Sequence, residues 1–242
     1  MLCYKYDDPH ASFDFNDHFD DQHDPVPDGF DENNGHGTKC AGEVAMEANN
    51  SFCGVGIAYD AKIGGFQAQM EGSAGSEMQY YKHIKSRSET MGRNGKGSIF
   101  IWASGNGGLL RDHCGADGYV NSIFTVAVGA VSNFGLSTFY SEACPAVMAV
   151  VPTGGTSNSP LDRNVEEQSL VTTELDNECT KTFRGTSSAA PMAAGIIALV
   201  LQAIPSLTWR DVQHLIVRTA KMSDLMNKGW KINGAGYHIH HK

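Results

Sequence analysis

The chain has 242 residues, 41% of them hydrophobic and 19% charged, enough to bury one large core or two small ones. It contains no run of eighteen apolar residues, which speaks against a simple membrane-spanning segment. A net charge of −9 argues against a nucleic-acid partner.

That charge is uneven. Nine Asp and one Glu, with no Lys or Arg, lie between Tyr6 and Thr38, while the remainder carries 17 acids against 18 bases. Such a segment suits cation binding or a basic substrate, although a solvated acidic loop is the ordinary fate of a charge run. The opening Met1–Asp8 shows no apolar core of the kind a secretory signal carries. Residues 6–35 read as loop, with turn signals through Asp24-Pro25-Val26-Pro27-Asp28-Gly29. Their Asp14, Asn16, Asp17, Asp20, Asp21 and Asp24 supply closely spaced hard oxygens that suit Ca²⁺ without following the EF-hand spacing.

Gly35-His36-Gly37-Thr38 then leads into a small-residue helix expected to end at Asn49-Asn50, with His36 at its N-terminus. Cys53–Tyr59 and Ile63–Gly65 suggest a turn and short strands, and residues 77–91 a helix with Met78, Tyr81 and Ile84 on one side. Three apolar runs, Ser98–Ala103, Ile123–Val128 and Ala146–Val151, lack alternation and read as buried parallel strands. The first ends in Ser104-Gly105-Asn106-Gly107-Gly108. Residues 152–169 read as loop and 170–183 as a hairpin. Gly185-Thr186-Ser187 opens a small-residue, then apolar, helix through Leu201, and Thr208 caps a last helix. Strands alternating with helices give an α/β domain with a parallel sheet.

Ser187 at the start of a helix sits where free N–H groups favour developing negative charge. A structural reading, in which Ser187 merely caps the helix, is equally open on this stretch alone. The order His36, Asn106, Ser187 decides between them. These motifs resemble the subtilisin-like serine proteases and, within them, the kexin/furin-type proprotein convertases. The likeness is carried by His36–Val44, Ser98–Gly108, Tyr140-Ser141-Glu142-Ala143-Cys144, Gly185-Thr186-Ser187 and Leu207–His214. Asn49–Cys53 and the Trp209 helix look most like the seventh, membrane-anchored vertebrate type.

The resemblance implies a three-layer α/β/α fold with a mostly parallel sheet, and residues 1–242 forming one partial catalytic domain with no P domain. It makes Ser187 the nucleophile, His36 the general base and Asn106 the oxyanion donor. It places Trp102, Ala103, Ser104, Gly105 and Thr186 along the substrate and Asp117 beneath a P1 arginine, where the residue types alone would make Asp117 a turn residue. It assigns Ca²⁺ to Asp112 and Glu142, to Asn50 with the carbonyls of Glu47, Phe52 and Gly54, and to Asp14 and Asp24. It pairs Cys53 with Cys179 and Cys114 with Cys144, leaves Cys40 free beside His36, and gives Cys3 no counterpart. It further implies precursor proteins with paired basic residues as substrates, a propeptide and P domain in a full-length form, and the secretory pathway.

The chain also departs from the pattern. No Asp-containing strand with a following glycine precedes the acidic loop, so the triad aspartate is absent, Asp7 and Asp8 lacking that setting. Only 31 residues separate Gly65 from Gly97, too few for the Ser-Trp-Gly-Pro-Asp-Asp strand of the family. Phe183 replaces a histidine common before Gly-Thr-Ser, and Arg184 is unusual there. The Tyr237–His241 histidines read as a loop rather than a metal site. Two functions stay open: a calcium-dependent convertase-type endopeptidase, and an inactive fragment with a binding or regulatory role.

Overall fold

The computed structural model describes residues 11–14, 32–67, 92–154, 170–224 and 228–240. Their elements run β1 (Phe13–Asp14), α1 (His36–Ala45), β2 (Phe66–Gln67), β3 (Phe100–Ala103), β4 (Thr125–Val131), β5 (Val147–Pro152), β6 (Thr172–Thr173), β7 (Cys179–Thr180), α2 (Thr186–Ala203), α3 (Trp209–Thr219), β8 (Trp230–Ile232) and β9 (His238–His240). The helix expected over residues 77–91 lies outside the described residues, as do Asp24 and the Gly65–Gly97 interval beyond Gln67 and before Gly92. Contacts divide the chain into two compact units, Met1–Ser98 with Thr172–Thr180, and Ile99–Val171 with Lys181–Lys242.

In the first unit β1 pairs in parallel with β2, Phe13 opposite Phe66. A two-residue pairing leaves no periodic trace, which is why this stretch reads as loop. Helix α1 starts on His36 as expected but stops at Ala45, short of Asn49-Asn50. Ile57 and Ala58 N–H donate to the carbonyls of Glu43 and Val44, and Gly56 N–H donates to Met46. These returning donors take the carbonyls that a helix end leaves open, so the helix ends on tertiary pairing rather than on a local signal. The hairpin β6–β7 packs on the same helix. The Thr172 and Thr173 hydroxyls donate to the carbonyls of Lys39 and Thr38 at 2.6 and 2.9 Å. A Cβ on Gly42 would overlap both hydroxyls and stand 2.9 Å from the Thr173 amide nitrogen, so only glycine admits the hairpin this close. The Cys53–Cys179 disulfide and a 2.8 Å Lys39–Glu174 ion pair complete the attachment.

In the second unit β3, β4 and β5 form a parallel sheet in that order. Strand β4 is buried along its whole length, which accounts for its unbroken apolar sequence. Val126, Val128 and Ala130 on one face pack with Ala189 and Ala193 of α2, with Tyr140 and Val151. Ala127 on the other packs with Cys114 and Val120, against Trp102 and Cys144. By length and composition α2 could cross a membrane, which the lack of an eighteen-residue apolar run did not suggest. Its contacts with β3, β4 and β5 make it a sheet-covering helix of this unit. Helix α3 carries the expected Thr208 cap, with Asp211 returning the bond as a capping box. His238 and His240 lie on the β8–β9 hairpin, where His240 meets the Trp230 ring edge-on, and His241 lies outside the described residues.

Candidate active site

The second unit holds Ser187 and Asn106. Gly185, not Ser187, occupies the cap position of α2, and no side chain caps there; Ser187 is the second residue of the helix and half-buried. The cap reading of Ser187 is therefore removed. Pro191, one turn on, has no N–H to donate to the Ser187 carbonyl, so the first turn of α2 lacks a rung at this residue.

Asn106 is oriented by Thr186. Its Oδ1 accepts from the Thr186 amide at 2.9 Å and from the Thr186 hydroxyl at 3.0 Å. An amide N–H can only donate, so the acceptor end of Asn106 must face Thr186 and the donor end, Nδ2, is the end left for a substrate. Gly105 N–H in turn donates to Thr186 Oγ1 at 3.3 Å. Gly185 has φ +101°, a conformation closed to residues with a Cβ, and that Cβ would stand 3.2 Å from Asn106 Oδ1. Thr186, expected along the substrate, is thus fully buried and orients the Asn106 amide.

The same unit carries further residues singled out in the sequence. Trp102 on β3 stacks on Tyr119 with ring centroids 4.6 Å apart. Ala103 ends β3, and Ser104 is buried with its N–H on the Val128 carbonyl at 2.8 Å. Asp117 is exposed, and one carboxylate oxygen accepts from the N–H groups of Tyr119 and Val120 at 2.7 and 2.8 Å. One oxygen of Asp117 therefore builds a turn, as its residue type suggested, and Oδ2 remains. Glu142 accepts from the Gly107 N–H at 2.9 Å. Oxygens of Asp112 and Glu142 each lie 3.0 Å from where a Gly107 Cβ would stand, so the two carboxylates converge on one glycine. The Cys114–Cys144 disulfide ties the two loops that carry them.

The first unit holds His36 and the second candidate cation loop. His36 is exposed at the start of α1, and its Nδ1 lies 3.7 Å from the thiol of Cys40 one turn on, which forms no disulfide. The ring is nevertheless partly desolvated by the chain around it, and this, reinforced by the Lys39 charge, lowers its imidazole below the usual value. In the loop Glu47–Gly54, the Asn50 Oδ1 accepts from the Phe52 N–H at 3.0 Å. Asn49, Ser51 and Cys53 all have positive φ, a concentration of left-handed backbone in one short loop. Among the described residues no three His, Cys, Asp or Glu side chains gather to hold a metal ion. Asp112 and Glu142 offer two carboxylates, and the Asn50 loop a side-chain amide with carbonyls; both are the oxygen donors a hard cation takes. Asp14 contributes its backbone to β1 opposite Gln67, and Asp24 lies outside the described residues.

Comparison with known proteins follows the same lines. The profile of the subtilase family matches residues 4–88 and 74–236. The chain belongs to the subtilase family. This subtilase is 44% identical to "PC3-like endoprotease variant B" of Hydra vulgaris over 255 residues, covering 92% of the chain and 35% of that protein. It is 42% identical to human "Proprotein convertase subtilisin/kexin type 4" over 266 residues, covering 97% of the chain and 34% of the relative. Bos taurus "Furin" is 42% identical over 266 residues, covering 97% and 32%. The subtilase spans about a third of the length of these curated relatives. The crystal structure of Aeromonas sobria serine protease with its chaperone superposes with a TM-score of 0.72 at 18% identity, over 96% of this chain and 50% of that one. That likeness shows the subtilisin-like α/β fold. The alignment to bovine furin, at 266 positions, is longer than the 242-residue subtilase, so the relatives contain residues without counterpart here.

Sequence reasoning missed Glu43, an acid buried in α1. Its signal was there: a lone Glu inside the small-residue face Cys40-Ala41-Gly42-Glu43-Val44-Ala45.

Proposed function

We propose that this chain is the catalytic-domain portion of a calcium-dependent serine endopeptidase of the proprotein-convertase type. Ser187 attacks the scissile carbonyl, His36 takes its proton and returns it to the leaving amine, and Asn106 Nδ2 donates to the oxyanion. The triad aspartate has no assignable counterpart in the sequence. The backbone of Trp102, Ala103, Ser104 and Gly105 runs alongside the substrate, and Asp117 Oδ2 receives a P1 arginine, so that cleavage follows paired basic residues. Substrates are then secretory precursors, and a full-length form adds a propeptide and a P domain. Two disulfides support a secretory-pathway setting, because they need an oxidising compartment. The likeness of Asn49–Cys53 and the Trp209 helix to the seventh vertebrate type carries the membrane-anchored version of this reading.

The observation that carries the proposal is the fixed orientation of Asn106 by Thr186, immediately before Ser187. Calcium has a structural place, cross-linking loops through Asp112 and Glu142, through Asn50 with the carbonyls of Glu47, Phe52 and Gly54, and through Asp14 and Asp24.

A second reading, a non-catalytic binding or regulatory protein, is favoured by the residues of the relatives that this chain lacks. Fluorophosphonate and arginyl chloromethyl ketone probes separate the two. Labelling of Ser187 by the first and alkylation of His36 by the second support the endopeptidase. A chain that melts cooperatively yet resists both probes sinks it and leaves the binding reading.

A further inference from the structure

Asn49-Asn50-Ser51 has the form Asn-x-Ser, with no proline at the middle position or after the serine, and it is the only Asn-x-Ser/Thr triplet in the 242 residues. Such triplets arise by chance in many chains, so the setting in the fold decides whether this one can be used. It lies in the first unit, in the loop Glu47–Gly54 that follows α1. Asn49 and Ser51 are both exposed, and among the described residues neither side chain has a hydrogen-bond partner. The middle residue is the one the fold uses: Asn50 is half-buried, and its Oδ1 accepts from the Phe52 N–H at 3.0 Å.

The backbone suits this division. Asn49 has φ +64°, a left-handed conformation that asparagine tolerates better than most residues with a Cβ. Its amide holds nothing in place, so a bulky substituent on Nδ2 breaks no bond of the fold. The oxygens proposed for calcium in this loop, Asn50 Oδ1 and the carbonyls of Glu47, Phe52 and Gly54, do not include the Asn49 amide. Helix α1 has ten residues, and at about 1.5 Å each it sets about 15 Å along its axis between His36 and the loop. The triplet is also open for a long interval of synthesis. Cys53, two residues beyond Ser51, pairs with Cys179 across a separation of 126 residues. That bond cannot close the loop until Cys179 has been made, on the order of ten seconds later.

We infer that Asn49 carries an N-linked glycan. The donor is an oligosaccharide on a lipid diphosphate. Asn49 Nδ2 forms a bond to the anomeric carbon, the bond from that carbon to the diphosphate oxygen breaks, the lipid diphosphate leaves with the electron pair, and the amide gives up one proton. This rests on the secretory-pathway setting proposed above, to which the two disulfides also belong, and not on the roles of Ser187 or His36.

The test is expression of the full chain behind a secretion signal in a eukaryotic cell, read by intact mass before and after digestion with peptide N-glycosidase. Wild type is expected to lose the mass of an oligosaccharide on digestion and to be left deamidated at position 49 in peptide mass spectra. Asn49→Gln and Ser51→Ala are expected to abolish the loss, and Ser51→Thr, which keeps the hydroxyl, to retain it. Wild-type chain recovered from the lumen or the medium without a glycan overturns the inference, a readout that needs no variant to fold. So does a digestion shift that survives N49Q. A glycosylated chain whose Ser187 takes no fluorophosphonate would sink the endopeptidase reading and leave this one standing; an unglycosylated chain that labels would do the reverse.

Discussion

Thr186 and Asn106 separate two jobs that a single substitution would confuse. Asn106→Ala removes both the proposed oxyanion donor and the acceptor for a fully buried Thr186, so it is expected to cost stability, about 1–3 kcal/mol, as well as any activity. Asn106→Asp keeps the acceptor and removes the donor. It is expected to leave the melting temperature near wild type while lowering kcat about 10²- to 10³-fold, the loss seen on deleting the equivalent donor in subtilisin, a member of the same family. Peptide hydrolysis and thermal melts on the two variants check the separation. Glu43 makes a prediction of opposite sign from an ordinary surface acid. Below about 4.5 folded and unfolded chains both hold its proton; above that the unfolded chain releases it while the fold retains it, so stability falls as pH rises to about 8. Glu43→Gln should therefore gain on wild type across that window, by up to about 1.4 kcal/mol per pH unit, read from urea unfolding at a series of pH values. Residue types and order are what single out Ser187, His36 and Asn106 for the proposed site. They could not show that Ser187 follows the cap rather than forming it, or that Thr186 orients Asn106, because both depend on a backbone path through Gly185 that composition does not encode.

The elements of the second unit were readable because burial on both faces writes itself into sequence. Strand β4 needs apolar residues toward α2 and toward the Cys114 layer alike, and an unbroken run results. The capping box of α3 was equally visible, since Thr208 and Asp211 are local partners. Helix α1 shows the opposite case. Nothing between Ala45 and Asn49 breaks a helix, and the end is imposed by donors from residues 56–58. The seat of the β6–β7 hairpin on α1 is likewise invisible locally, yet it makes Gly42 indispensable. Gly42→Ala should raise intrinsic helix propensity by about 1 kcal/mol and still destabilise the chain, because its methyl group displaces two buried threonine hydroxyls. A circular-dichroism melt shifted downward is the expected outcome; an unchanged or higher midpoint would mean the hairpin moves aside at no cost.

For the whole molecule the testable terms are its cross-links. Chelation with EDTA should lower the melting temperature, and added Ca²⁺ should raise it with a concentration dependence set by binding to the folded chain. Among the disulfides, Cys53–Cys179 closes a separation of 126 residues and Cys114–Cys144 one of 30. In the chain-entropy description these stabilise by about 5 and about 3.5 kcal/mol, so selective loss of the first should lower the melt more. The first unit is also discontinuous in sequence, since Thr172–Thr180 returns to it after most of the second unit has been traversed. On a ribosome, then, the helix bearing His36 emerges early and must wait for its hairpin. At about 5–20 residues per second that delay is on the order of ten seconds, during which the Gly42 face and the Cys53 thiol stand uncovered. A chaperone or an oxidoreductase acting on this protein during synthesis has its window there.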